Sequence, residues 1–120
     1  MTIKECYEKV GSDYDGVLKR LGSEALVKRF AVKFLNDPSF QELTDGLAAQ
    51  DGEKAFRAAH TLKGVCQNLS LTSLYQVSSQ LTEELRNEDT AVLGNPNISD
   101  YMSKVTAEYH KTIEAIQELE

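Results

Sequence analysis

The chain has 120 residues, 41% hydrophobic and 27% charged, the size and balance of one ordinary globular domain. Its 19 acids outweigh its 13 bases for a formal charge of −6, which argues against a nucleic-acid partner because phosphate contacts need an excess of Lys and Arg. Two cysteines cannot build a disulfide framework, no apolar run approaches the roughly 20 residues that cross a bilayer, and the polar start Met1-Thr2-Ile3-Lys4-Glu5 carries no signal region, so a cytoplasmic protein is expected.

In chain order the hydrophobic period is helical. Ile3, Tyr7 and Val10, then Tyr14, Leu18 and Leu21, are short apolar runs punctuated by Gly11 and Gly22, and they predict a short N-terminal helical extension over residues 1–22. Ser23 before Glu24 reads as an N-cap with an acid in the first turn, where the helix dipole favours it. The stripe Leu26, Phe30 and Phe34, flanked by Val27, Ala31 and Leu35, carries that helix to Asn36. Asp37-Pro38 reads as a cap followed by proline at the first helical position, and Phe40, Leu43 and Leu47 supply the inward face of the next helix.

From Asp51-Gly52 onward, Ala55, Ala59, Leu62, Cys66 and Leu69 recur at three- and four-residue steps. After a break near Ser70 the pattern resumes with Leu71, Leu74, Ser78, Leu81 and Leu85. A polar connection from Asn87 to Asn97 contains Gly94 and Pro96, and the last helix carries Ile98, Met102, Val105, Tyr109, Thr112, Ile116 and Leu119. No segment alternates with period two for long enough to make a strand. The expected fold is all-α, an antiparallel four-helix bundle over residues 23–120 with the extension at 1–22, together one domain over 1–120.

Most catalytic signatures are missing. Di-iron bundles place Glu and His three residues apart, whereas His60 and His110 are preceded at that spacing by Arg57 and Ala107, so no metal site is expected. Neither a Cys-x-x-Cys pair, a glycine-rich phosphate loop nor a Gly-x-Ser-x-Gly elbow occurs. His60 has more suggestive neighbours. At 100° per residue it points roughly 160° away from the centre of its helix's apolar face, toward solvent.

Gly64 follows one turn later on the same face, with Phe56, Lys63 and Gln67 around the two and Arg57 on the other flank. Glycine inside a helix costs about 1 kcal/mol relative to alanine, and one use for it is close approach of another surface to the imidazole. An imidazole is largely neutral and nucleophilic near neutral pH, and Lys63 would put an ammonium beside any anion it holds. From Lys54 to Thr82 the chain has no acid and three bases, between flanks of net −3 and −6. This pattern suits covalent phosphoryl carriage.

Plainer readings stand beside these. An outward His is usually a solvated residue, Gly64 can be a packing contact with a neighbouring helix, and Lys63 and Arg57 can be solubilising charges. Cys66 reads as a small core residue, His110 as surface decoration, and Tyr101 and Tyr109 as core-packed rings with hydroxyls at the rim.

Ala58-Ala59-His60-Thr61-Leu62-Lys63-Gly64 resembles the signature of histidine-containing phosphotransfer (HPt) domains of two-component phosphorelays, His-x-Leu-Lys-Gly after a small residue. The match is contiguous at His60, Leu62, Lys63 and Gly64, with Ala59 and Arg57 in keeping. The resemblance implies an HPt-like four-helix bundle whose His60 takes a phosphoryl group, usually on Nε2, from a receiver's aspartyl phosphate and passes it to another receiver. It implies a carrier without an ATP site, turnover or cofactor of its own, the Mg²⁺ belonging to the receiver. Lys63 would offset the phosphate charge and Gly64 would give clearance. Arg57, Phe56 and Gln67 would complete the phosphate and partner environment.

The implied partners are response-regulator receiver domains and a hybrid sensor histidine kinase, with no nucleic acid or membrane, and the protein would be a monomer. An apolar rim of Phe56 and Leu71 is expected to meet the receiver. Val65 and Cys66 are larger than the family's usual residues after Lys-Gly, and Ser70 stands where a glycine often ends the helix. Two alternatives share the motif. One is a receiver-binding domain that does not transfer, against which His60 itself speaks. The other is a phosphoacceptor module of a larger hybrid or chemotaxis-type histidine kinase; the start at Met1 and the lack of a linker or dimerisation helix lean toward a free-standing protein.

Overall fold

Side-chain caps start most of the helices, the one expected at Ser23 among them. In the computed structural model, which describes residues 1–86 and 94–119, these are α1 (Ile3–Lys9), α2 (Tyr14–Leu21), α3 (Glu24–Phe34), α4 (Ser39–Ala48), α5 (Gly52–Asn68), α6 (Thr72–Glu84) and α7 (Pro96–Gln117). No strand occurs among the described residues. Thr2 and Glu5 form a reciprocal capping box on α1, and Asp13, Ser23 and Asp51 accept from the backbone N–H of Gly16, Leu26 and Lys54 at the starts of α2, α3 and α5.

Two boundaries differ from expectation. Pro38 is the residue before α4 rather than its first helical residue, because the Asp37 carboxylate reaches past it to accept from the Ser39 N–H at 2.9 Å. The last helix begins at Pro96, where Asn95 caps it and proline fits the first turn, so the connection is shorter than 87–97. Its residues 87–93 lie outside the described residues.

Helices α4 to α7 pack each on the next as an antiparallel four-helix bundle. Leu43, Ala55, Ala59, Leu62, Cys66, Leu74, Leu81, Leu85, Val105 and Ile116 fill its centre. Phe40 closes it between first and last helices by stacking on Tyr109, with ring centroids 3.9 Å apart. Near the start of α5 the helices come closer still, and a Cβ on Gly46 would lie 2.8 Å from the Ala55 nitrogen. Glycine is required there by space.

The α3 stripe is rotated from its predicted position. Val27, Ala31 and Phe34 are buried, whereas Leu26 and Phe30 remain 37% and 38% exposed. The reason is that α3 lies outside the four-helix core and packs on α1, α2 and α7 along one narrow strip. A sequence stripe shows which residues can be covered, and the number of neighbours decides how wide a face is.

Residues 1–22 fold back onto the end of the bundle where α5 turns into α6. Ile3, Cys6, Tyr7, Val10 and Val17 are buried in the common core. The last carbonyls of a helix lack intrahelical donors, and here the extension helps supply them. Tyr7 Oη donates to the Leu69 carbonyl at 2.7 Å, and Arg20 Nη1 lies 2.7 Å from both the Gln67 and Asn68 carbonyls and 3.1 Å from Ser70 Oγ. The Asp13 N–H donates to the Ser70 carbonyl at 3.1 Å. Ser70 itself is left-handed, with φ +51°. A residue other than glycine is held in that conformation by partners on both sides.

Candidate functional site

Helix α5 buries Ala55, Ala58, Ala59, Leu62 and Cys66 and turns His60 outward, as the period predicts. The three alanines bring neighbouring backbones close without bulk, so one face of α5 is sunk in the core while the opposite face stays open. The imidazole of His60 is exposed there. Its nearest aromatic neighbour is Phe56, one turn earlier, with ring centroids 6.1 Å apart and planes tilted by 41°.

Phe56 is also met by Arg86 from the end of α6, whose guanidinium carbon lies 5.7 Å from the ring centroid. Arg86 in turn holds Glu83 through both its Nε, at 3.0 Å, and its Nη2, at 2.5 Å. The hydrogen bond from Arg86, with the positive charges of Arg86 and Lys63 added, holds the Glu83 carboxyl below its usual range. The stretch that is acid-free in sequence therefore meets a carboxylate in space. The sequence reading missed Glu83 and Arg86, at and just past the end of α6, because they lie beyond Thr82, and their three-residue spacing marked only a surface ion pair.

Gly64 lies in the interior of α5, and a Cβ there would meet nothing within 4 Å. Packing against a neighbouring helix, the plainer reading of this glycine, is thereby excluded among the described residues. Lys63 is half-buried on the side facing α6, and Gln67 is exposed one turn past Gly64. Arg57 goes elsewhere. Its guanidinium pairs with Glu53, and it lines a groove with Glu42, Asp51 and Lys54 between α4 and α5.

Leu71 is only 2% exposed and cannot belong to an apolar rim; its side chain points into the core at the turn between α5 and α6. Cys66 is wholly buried, and desolvation pushes its thiol far above the usual range. His110 is exposed and stands edge-on to Phe40, with centroids 5.8 Å apart. Among the described residues no group of three or more His, Cys, Asp or Glu could hold a metal ion, and no helix is long and apolar enough to cross a membrane.

The Hpt domain family model matches residues 36–119, the stretch that contains α4 to α7, and the chain belongs to that family. Membership makes this a histidine phosphotransfer module of two-component signalling, a class of phosphocarriers without ATP sites that work with receiver domains and kinases. Neither a curated protein nor a solved structure matches the chain significantly. Helices α1 to α3 precede the matched stretch.

Proposed function

We propose that this protein is a phosphorelay intermediate in which His60 carries the phosphoryl group between two receiver domains. The supporting observation is an exposed imidazole with open space at Gly64 one turn along its own helix. In the forward step the Nε2 lone pair attacks phosphorus, an N–P bond forms, the P–O bond to the receiver's aspartate breaks, and the carboxylate leaves. Donation to the next receiver reverses these bonds on a second aspartate. The receiver supplies Mg²⁺ and most of the charge stabilisation, while the bundle contributes a nucleophile fixed on a rigid helix.

Lys63 is the cation for the phosphorylated state, and Phe56, between His60 and Arg86, is the apolar contact for the receiver. Gln67 offers a hydrogen-bonding amide on the same column. Arg57 contributes only its field, since Glu53 holds its guanidinium. The same reading makes the protein a cytoplasmic monomer loaded by a hybrid sensor histidine kinase, in keeping with two buried, unpaired cysteines.

The test is incubation with a phosphorylated receiver and Mg²⁺. Label that is acid-labile, base-stable and absent from His60→Gln supports the reading, and Lys63→Ala should shorten the lifetime of that label or slow its transfer. A folded protein that stays unlabelled by several well-phosphorylated receivers would instead be a receiver-binding domain that does not transfer.

A further inference from the structure

Two neighbouring acids close α6, and they have different partners. Glu84 accepts from Asn95 Nδ2 at 3.0 Å, beside the start of α7. Glu83 accepts instead from Arg86, whose Nε lies at 3.0 Å and Nη2 at 2.5 Å. The Arg86 N–H also donates to the Glu83 carbonyl at 3.3 Å, so the last turn of α6 fixes main chain and side chains of this pair together. The guanidinium carbon stands 5.7 Å from the Phe56 ring centroid, and that ring stands 6.1 Å from the His60 ring. The hydrogen bond from Arg86, then its charge and that of Lys63, keep the Glu83 carboxyl below its usual range. One carboxylate is thus shared between two cations, Lys63 and Arg86, that border the pair Phe56 and His60.

A phosphoryl group on His60 would bring close to two negative charges to the same cations. In sequence, residues 54–82 hold three bases and no acid, a stretch that by itself would retain such a group. A carrier has to release what it accepts, and the end of α6 brings one negative charge back to this stretch. The Arg86 and Glu83 side chains are 54% and 57% exposed, so water and salt hold the coupling to a few-fold.

We propose that Glu83 is a positioning residue that competes with the phosphoryl group for Lys63 and Arg86, so that phosphorylated His60 is held less tightly and gives up its group more readily. This rests on the reading of His60 as the phosphoacceptor. Glu83 makes no covalent bond and acts only through the two cations.

Loading His60 from phosphoramidate tests this without a receiver. The imidazole Nε2 forms the N–P bond, the P–N bond of the donor breaks, and ammonia leaves with the ring proton as ammonium. Decay of the phosphohistidine is then followed by ³¹P NMR. Glu83→Gln should lengthen its lifetime about threefold and Arg86→Gln should shorten it about threefold, while the double variant should return near the parent. These differences should vanish at about 1 M salt. Glu114→Gln, the same loss of charge at an exposed site on α7, should change nothing. Melts followed by circular dichroism check that each variant is folded, and a lifetime set only by folding would not respond to salt in this way. Three results would overturn the proposal: equal lifetimes in the parent and both single variants, equal lengthening by Glu114→Gln, or no label on His60. Lifetimes that shift as expected while no receiver exchanges with the label would uphold it and refute the relay reading.

Discussion

Replacing Gly64 by alanine sets stability against function at one atom. Alanine is favoured over glycine in a helix interior by about 1 kcal/mol, chiefly because the unfolded chain has less backbone freedom to lose. The new methyl would meet nothing within 4 Å, so packing neither adds to that gain nor opposes it. At an unfolding entropy of roughly 2.1 cal/mol/K per residue, the gain raises the Tm by about 4 °C. Urea and thermal melts followed by circular dichroism measure it. If the space is kept for a receiver, the same methyl stands in the receiver's path beside His60, and phosphoryl uptake should slow about tenfold, or about 1.4 kcal/mol of barrier. Gly64→Glu should slow it further by adding bulk and like charge. An alanine variant that is less stable than the parent would show that the space at position 64 is filled. A more stable variant with unchanged uptake from every receiver would show that the clearance is not used.

Other consequences are open to measurement on the same material. Tyr7→Phe removes the buried donor to the Leu69 carbonyl and should cost about 1–3 kcal/mol in urea unfolding; a loss under about 0.5 kcal/mol would mean that the α5 end does not need the extension. Gln50 follows α4 with φ +54°, a left-handed backbone, so Gln50→Gly should stabilise by about 0.5–1 kcal/mol, and a destabilised variant would refute the strain argument. Burial raises both the Cys66 and Cys6 thiols above the ordinary range, which leaves little thiolate at neutral pH. Ellman's reagent should therefore label them only along the urea unfolding curve, and rapid labelling of the native protein would reveal local opening of the core.

Much of the site was legible because a helix is a local structure. The three-and-four spacing of Ala55, Ala59, Leu62 and Cys66 fixes the inward face of α5, and once that face is known, the outward direction of His60 and Gly64 follows from the helical turn alone. The cap at Ser23 was equally readable, since its hydroxyl accepts from a backbone N–H three residues on. Ser70 could be marked as a departure at the helix end. Its sequence did not reveal that Arg20, some fifty positions earlier, supplies the hydrogen bonds that hold the departure in place.

The chain alone thus determined the helices, the acidic and basic stretches, and the phosphotransfer motif with its exposed histidine, because each depends on residues within about two turns of one another. Only tertiary packing decided that Gly64 faces empty space, that Arg86 and Glu83 join Phe56 and Lys63, that Leu71 is sealed in the core, and that Leu26 and Phe30 stay exposed on α3. Those outcomes depend on which helices lie side by side and at what rotation. Hydrophobic period constrains that rotation loosely, and the packing of the assembled core selects it.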